Sequence, residues 1–243
     1  MSIIGKILGG AAGFAIGGPI AALFGVLAGH AVDNLLKPDE ASTGAPDGTR
    51  QIAFTIGVIA LGAKMAKADG VVTRAEINAF REIFHVPPEE SANVARFFDL
   101  AKKDVRGFEP YARQVAGLFP DEPEVLEKVL EGLMHIARAD GRLHRDELAY
   151  LHRVAAIFGL DESRFARAQA AAGETVDPYQ VLGLARDADA AAIKAAWRQL
   201  VRKNHPDRMI AQGMPEEAID LANNEVAAIN AAYDAICRER GIK

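Results

Sequence analysis

The tripeptide His205-Pro206-Asp207 sets an imidazole and a carboxylate two positions apart across a proline. An imidazole and a carboxylate that close can work as an acid–base pair near neutral pH. Proton transfer alone is not catalysis. No nucleophile, pocket glycines or metal ligands accompany the pair, so the chain reads as a non-enzyme with no implied cofactor. The residues just before the tripeptide are more informative. Lys194, Arg198 and Arg202 recur at i, i+4 and i+8, and Lys203 extends the set. At helical spacing they form one basic stripe ending beside His205. By itself such a stripe is a solvated helix face. A nucleic-acid role is disfavoured by the net charge of −5 and by the lack of a second basic element.

The elements that must hold these residues are legible. Pro178 in DPYQVLGL suits a first helical turn. Asp189 can cap a helix running to about Lys203, with Ile193, Ala196 and Leu200 on its aliphatic face. Pro206 disfavours the α conformation at His205, so that helix stops there. RMIAQGMPEE reads as a loop. A long helix over about 215–238 presents Val226, Ile229, Tyr233 and Ile236, a face that can pack antiparallel on the first helix.

Together, PYQVLGL, AAIKAAWRQLVRKNHPDR and the closing EVAAINAAYDAI resemble a J domain, the module named after the chaperone DnaJ. The resemblance implies docking on a DnaK-type 70-kDa heat-shock chaperone. There the basic helix meets an acidic surface, and His205, Pro206 and Asp207 bias the partner toward ATP hydrolysis. Carried over by position, Lys194 and Arg198 match basic contact positions, and Arg202 and Lys203 extend the patch. Trp197 stands where a tyrosine is usual and Gln199 where a basic residue is common, departures that keep the fold but retune partner affinity.

The middle of the chain carries a repeat. AKMAKADGVVTRAEINAFREIF (63–84) and MHIARADGRLHRDELAYLHRVAAIF (134–158) share Ala-Asp-Gly, an aliphatic residue, an arginine and a glutamate, at a constant offset of 71 residues. In each copy a helix ends, Asp-Gly turns the chain, and a capped helix begins. The first cap is Thr73 with Glu76; the second has His144, a weaker capping residue, with Glu147. Residues 91–103, 109–119, 122–139 and 161–170 also show helical spacing, and no strand is expected over 50–172. The paired signatures resemble the TerB-like family, named after tellurite-resistance proteins. That resemblance suggests a divalent-ion or acidic-ligand site from Asp69, Glu76, Asp140 and Glu147. The residues alone require no metal: each loop has one carboxylate, and an Asp-Gly turn with a capping glutamate explains both. His135, His144 and His152 are spread over two predicted helices and read as ordinary surface or core residues.

At the start of the chain Gly5, Gly9, Gly13, Gly17, Ala21, Gly25 and Gly29 place a small residue at every fourth position. Residues 7–31 carry no formal charge. As a helix this run is roughly 37 Å long, against about 30 Å of hydrocarbon. Small residues at that spacing let two helix backbones approach closely, so Gly5, Gly9, Gly13 and Gly17 form a self-association face for a homodimer. A cleaved leader and a hairpin turning at Gly17-Gly18-Pro19 are the competing readings, and Pro19 leaves a kinked span and a hairpin both open. A leader would export the J domain from its ATP-dependent partner, which favours a retained anchor.

The expected protein is all-α: a transmembrane helix in 1–36, a linker over 37–49, a TerB-like helical bundle over 50–172 and a J-domain helical hairpin over 173–243. The single cysteine, Cys237, excludes an internal disulfide and a cysteine-based zinc cluster, and suits a reducing compartment. Over the full length this order resembles the DjlA family of membrane-anchored DnaJ-like bacterial co-chaperones. The resemblance implies a single-pass inner-membrane protein, N-terminus outside and C-terminal domains cytoplasmic. Its TerB-like domain would supply client or partner specificity. The alternative is a TerB-type metal- or ligand-sensing stress-response adaptor at the membrane.

Overall fold

The computed structural model describes residues 54, 57–65, 74–83, 107–141 and 143–242. Every regular element among them is helical. The N-terminal segment with its glycine ladder, Asp69 and the predicted helix at 91–103 lie outside the described residues. Among the described residues no helix is long and apolar enough to cross a membrane.

Helix α1 (Arg74–Ile83), α2 (Glu109–Leu118) and α3 (Pro123–Ala137) are followed by α4 (Arg145–Phe158) and α5 (Glu162–Ala171). Pro123 opens α3, where a missing amide hydrogen removes no helical bond. Every residue from Val125 to Met134 is buried, so α3 needs neighbours on all sides. Helix α1, α4 and α5 pack on it. The helical stretch 57–65 completes the wall. A Cβ on Gly132 would lie 3.5 Å from Val58, and one on Gly62 would lie 3.6 Å from Ile136. Helix α2 rests on α4, with Phe108 and Tyr150 at 4.2 Å between ring centroids. The Tyr150 hydroxyl donates to the Leu61 carbonyl at 2.8 Å.

The second helix of the repeat unit is described in both copies, and the Asp-Gly turn of the first copy lies outside the described residues. Helix α1 starts at Arg74 and α4 at Arg145, equivalent positions in the two copies. Glu76 and Glu147 are both buried, as are the matched Phe80 and Leu151. In the second copy α3 tightens into a 3₁₀ turn, Arg138–Asp140, and Gly141 reverses the chain at φ 102°, where any side chain would strain the backbone. The cap of α4 depends on its glutamate: Glu147 accepts from the His144 amide at 2.8 Å.

The C-terminal part comprises α6 (Pro178–Leu182), α7 (Ala190–Lys203), α8 (Pro206–Ala211) and α9 (Glu216–Arg240). The stretch expected to be a loop therefore begins as a short helix. Pro206 supplies its first position, and the helix breaks after Ala211 before Gly213 at φ 65°. Helices α7 and α9 are antiparallel: Trp197 stacks on Tyr233 at 4.5 Å, while Arg240, at the far end of α9, donates to the Ala188 carbonyl. Tyr179, Val181, Leu182, Ile193, Ile229, Ala232 and Ile236 form their core.

Helix α9 belongs to two cores. Its C-terminal half fills the hairpin. Its N-terminal half, with Ala218, Leu221 and Ala222, joins the buried cluster of the repeat bundle. Met209 and Met214 enter the same cluster from α8 and the turn after it.

Candidate docking site

Helix α7 begins where expected. The Asp189 carboxylate accepts from the Ala192 amide at 2.7 Å, satisfying one orphan donor. Ile193 is fully buried against α6 and α9, and Trp197 and Leu200 are half-buried over the same core. The Trp197 indole donates to Asn230 Oδ1 at 2.7 Å. The indole at the position usual for tyrosine thus keeps a polar partner and an aromatic stack. These contacts fix the rotation of α7 and thereby the direction of its basic residues.

The structure splits the four basic residues. Lys194, Arg198 and Arg202 are exposed along one stripe. Lys203 is half-buried and lines a cleft of about 300 Å³ with Gln199, Asn204 and Arg164. One residue is about 100° of helical turn, so Lys203 belongs to the neighbouring face.

At the end of α7, Asn204 is buried and its amide nitrogen atoms both point to the Leu200 carbonyl, at 2.9 and 3.1 Å. His205 then turns to an extended backbone, φ −62° and ψ 134°, and becomes the N-cap of α8. Its Nδ1 accepts from the Asp207 amide at 3.2 Å. The Asp207 carboxylate lies 3.5 Å from the same nitrogen. In the neutral ring Nδ1 is therefore the acceptor, and the Nε2–H points elsewhere. A catalytic dyad has the reverse arrangement, with Nδ1–H donating to the carboxylate. Proline pins the turn, and both polar side chains face water, His205 at 48% and Asp207 at 81% exposure. The tripeptide is an exposed corner between α7 and α8.

Of the other candidate site, Asp69 lies outside the described residues. Glu76 and Glu147 are buried, Glu147 is engaged as a cap, and Asp140 meets His144 Nε2 at 2.8 Å. Among the described residues no group of three or more histidine, cysteine or acidic side chains could hold a metal ion. His152 stacks on Phe165 at 3.9 Å. His135 lines a cleft of about 470 Å³ with Glu82 and Arg138. Burial holds its pKa below the usual value, against the opposing Glu82 charge and with a small contribution from Arg138.

One structural feature is not part of the reading of the sequence. The buried charges Glu127, Lys128, Glu131, Arg167 and Glu225 join the hairpin to the bundle. A signal existed: Leu221, Glu225 and Ile229 are spaced four apart on α9, so a carboxylate interrupts an apolar stripe.

Residues 1–51 match the family described as the co-chaperone DjlA transmembrane domain. Residues 55–170 match the family of the tellurite resistance protein TerB, and residues 177–241 match the DnaJ domain. The co-chaperone protein DjlA of Photobacterium profundum is 30% identical over 98% of this chain and 99% of its own length. That of Aliivibrio fischeri is 30% identical over the whole of both chains, and that of Coxiella burnetii 26% over the whole of both. No solved structure matches the chain. With three domains matched in this order and relatives aligned from end to end, the chain belongs to the DjlA family of co-chaperone proteins.

Proposed function

We propose that this protein is a membrane-anchored co-chaperone. Its J domain, residues 173–243, docks on a DnaK-type 70-kDa chaperone and stimulates that partner's ATP hydrolysis. The chain itself catalyses nothing. The observation that carries this reading is the open corner: His205, Asp207, Lys194, Arg198 and Arg202 are all exposed, while Ile193 of α7 and Met209 of α8 are fully buried and hold the two helices in place. The basic stripe steers an acidic partner surface into register by complementary charge. The Pro206-braced turn then presents His205 and Asp207 at a fixed angle. Lys203, on the adjacent face, contributes at the margin.

The repeat bundle, residues 50–172, supplies client or partner specificity. Residues 1–36 span the bacterial inner membrane once, with the N-terminus outside and the helical domains in the cytoplasm, where ATP and the DnaK partner reside. Residues 37–49 link the two. Gly5, Gly9, Gly13 and Gly17 pair two copies in the bilayer.

The test is ATP turnover by the cognate DnaK-type chaperone with detergent-solubilised full chain. Stimulation several-fold above the basal rate is expected, lost in His205→Gln and in Asp207→Asn. No stimulation by the parent chain, or equal stimulation by His205→Gln, would overturn the proposal.

A further inference from the structure

The carboxylate in the apolar stripe of α9 has partners on two helices of the bundle. Glu225 is fully buried. It pairs with Lys128 of α3 and accepts from Arg167 Nε of α5 at 3.2 Å. Lys128, itself fully buried, also donates to Glu131 at 3.2 Å. Arg167 Nε reaches Glu127 at 2.9 Å, and its Nη1 reaches back to the Val181 carbonyl of α6 at 3.4 Å. Arg164 closes the network on Glu127 at 2.7 Å and Glu124 at 3.3 Å. The charged partners of Glu225 thus come from the repeat bundle, and Arg167 binds both sides of the boundary.

Apolar packing frames this network. Leu221 lies one turn before Glu225, and a Cβ on Gly132 of α3 would stand 3.6 Å from it. Met209, two residues beyond Asp207, is fully buried in the bundle's core. The short helix that begins with the His-Pro-Asp corner is therefore anchored on the bundle by its other side.

A hairpin that swung free would leave Lys128 inside the bundle with one carboxylate fewer and would expose Met209, Met214 and Leu221 to water. Neither change is gradual, because buried charges tolerate only paired arrangements and packed cores switch between discrete states.

We propose that Glu225 is a positioning residue: with Lys128 and Arg167 it locks the J domain onto the TerB-like bundle in one orientation. Through Met209 it sets the angle at which the His-Pro-Asp corner leaves the bundle. The consequence for activity rests on the docking function proposed above. The lock itself does not. A chaperone engaged at α7 and a client held by the bundle would then meet at a fixed distance rather than on a flexible tether.

The experiment uses the full chain in detergent micelles with Cys237→Ser. Spin labels are placed at two exposed sites, Arg153→Cys on α4 and Ala191→Cys on α7. The inter-label distance distribution is measured by pulsed electron resonance, and chaperone ATP turnover is titrated in parallel. The unaltered lock should give one narrow distance. Glu225→Lys should broaden it with helical content retained, and should raise the concentration for half-maximal stimulation at least threefold. Lys128→Met combined with Glu225→Leu, which refills the seat with apolar volume, should restore both readouts. A broad distribution in the unaltered lock overturns the proposal, and so does a narrow one in Glu225→Lys. An unchanged half-maximal concentration despite a broadened distance overturns the positioning role. If the parent chain stimulates no ATP turnover, the docking reading falls alone, and the distances still decide the lock.

Discussion

Glu131 shows how one buried residue tunes the whole junction. Four carboxylates, Glu124, Glu127, Glu131 and Glu225, face three cations, Lys128, Arg164 and Arg167. The excess acid holds its proton most easily where desolvation is strongest and the counter-charge is shared. Burial raises the Glu131 carboxyl from 4.5 to about 7, against the opposing attraction of Lys128. The native state thus keeps a proton that the unfolded chain releases near 4.5. The stability from this group is fully present below that value and is lost as pH rises through about 7, at up to about 1.4 kcal/mol per pH unit. Denaturant unfolding between about pH 5 and 7 should show that slope and level off above it, and Glu131→Gln should flatten it. At the docking corner the corresponding test is functional: His205→Gln should abolish stimulation while lowering stability by no more than the loss of one exposed cap bond, about 1 kcal/mol, because the ring touches no core residue.

At the scale of elements, much of the fold follows from local rules. Asp161, Asp177 and Asp189 each cap the helix after them through a carboxylate–amide bond. Replacing Asp189 by alanine should cost about 1 kcal/mol and fray the start of α7, lowering the unfolding midpoint while His205 and Asp207 stay in place. Hydrogen exchange at the Ala192 amide would report it. The short helix α8 is hard to read from the sequence because its residues look like a loop: Gly213 and Pro215 dominate locally, and burial of Met209 and Met214 adds to the His205 cap and Pro206 in stabilising the turn. The weak cap expected at His144 was only half the account, since the carboxylate of Glu147 serves the backbone donor whatever side chain precedes it.

For the whole molecule, anchor, bundle and J domain form a proposed series in which each part constrains the next. If the glycine ladder pairs two chains, two J domains are delivered side by side beneath the membrane. Gly13→Leu combined with Gly17→Leu should sharply reduce the dimer yield in membrane crosslinking without reducing insertion, because bulk at that face separates the helix axes while hydropathy rises. Unchanged dimer yield would assign the ladder another purpose. The shared core of α8, α9 and the bundle adds a second constraint, since rotation of the bundle carries the His-Pro-Asp corner with it.

The amino-acid sequence by itself determined the helical class, the repeat, the caps and the His205-Pro206-Asp207 corner with its basic helix. Each of these depends on residues close together in the chain, whose spacing and backbone preferences act locally. Tertiary structure alone decided that Lys203 is half-buried in a cleft beside Arg164 and that the J domain is seated on the bundle. Those outcomes depend on partners far apart in sequence, such as Lys128 and Glu225. A charge inside an apolar stripe announces that a partner must exist, but only packing reveals which helix supplies it.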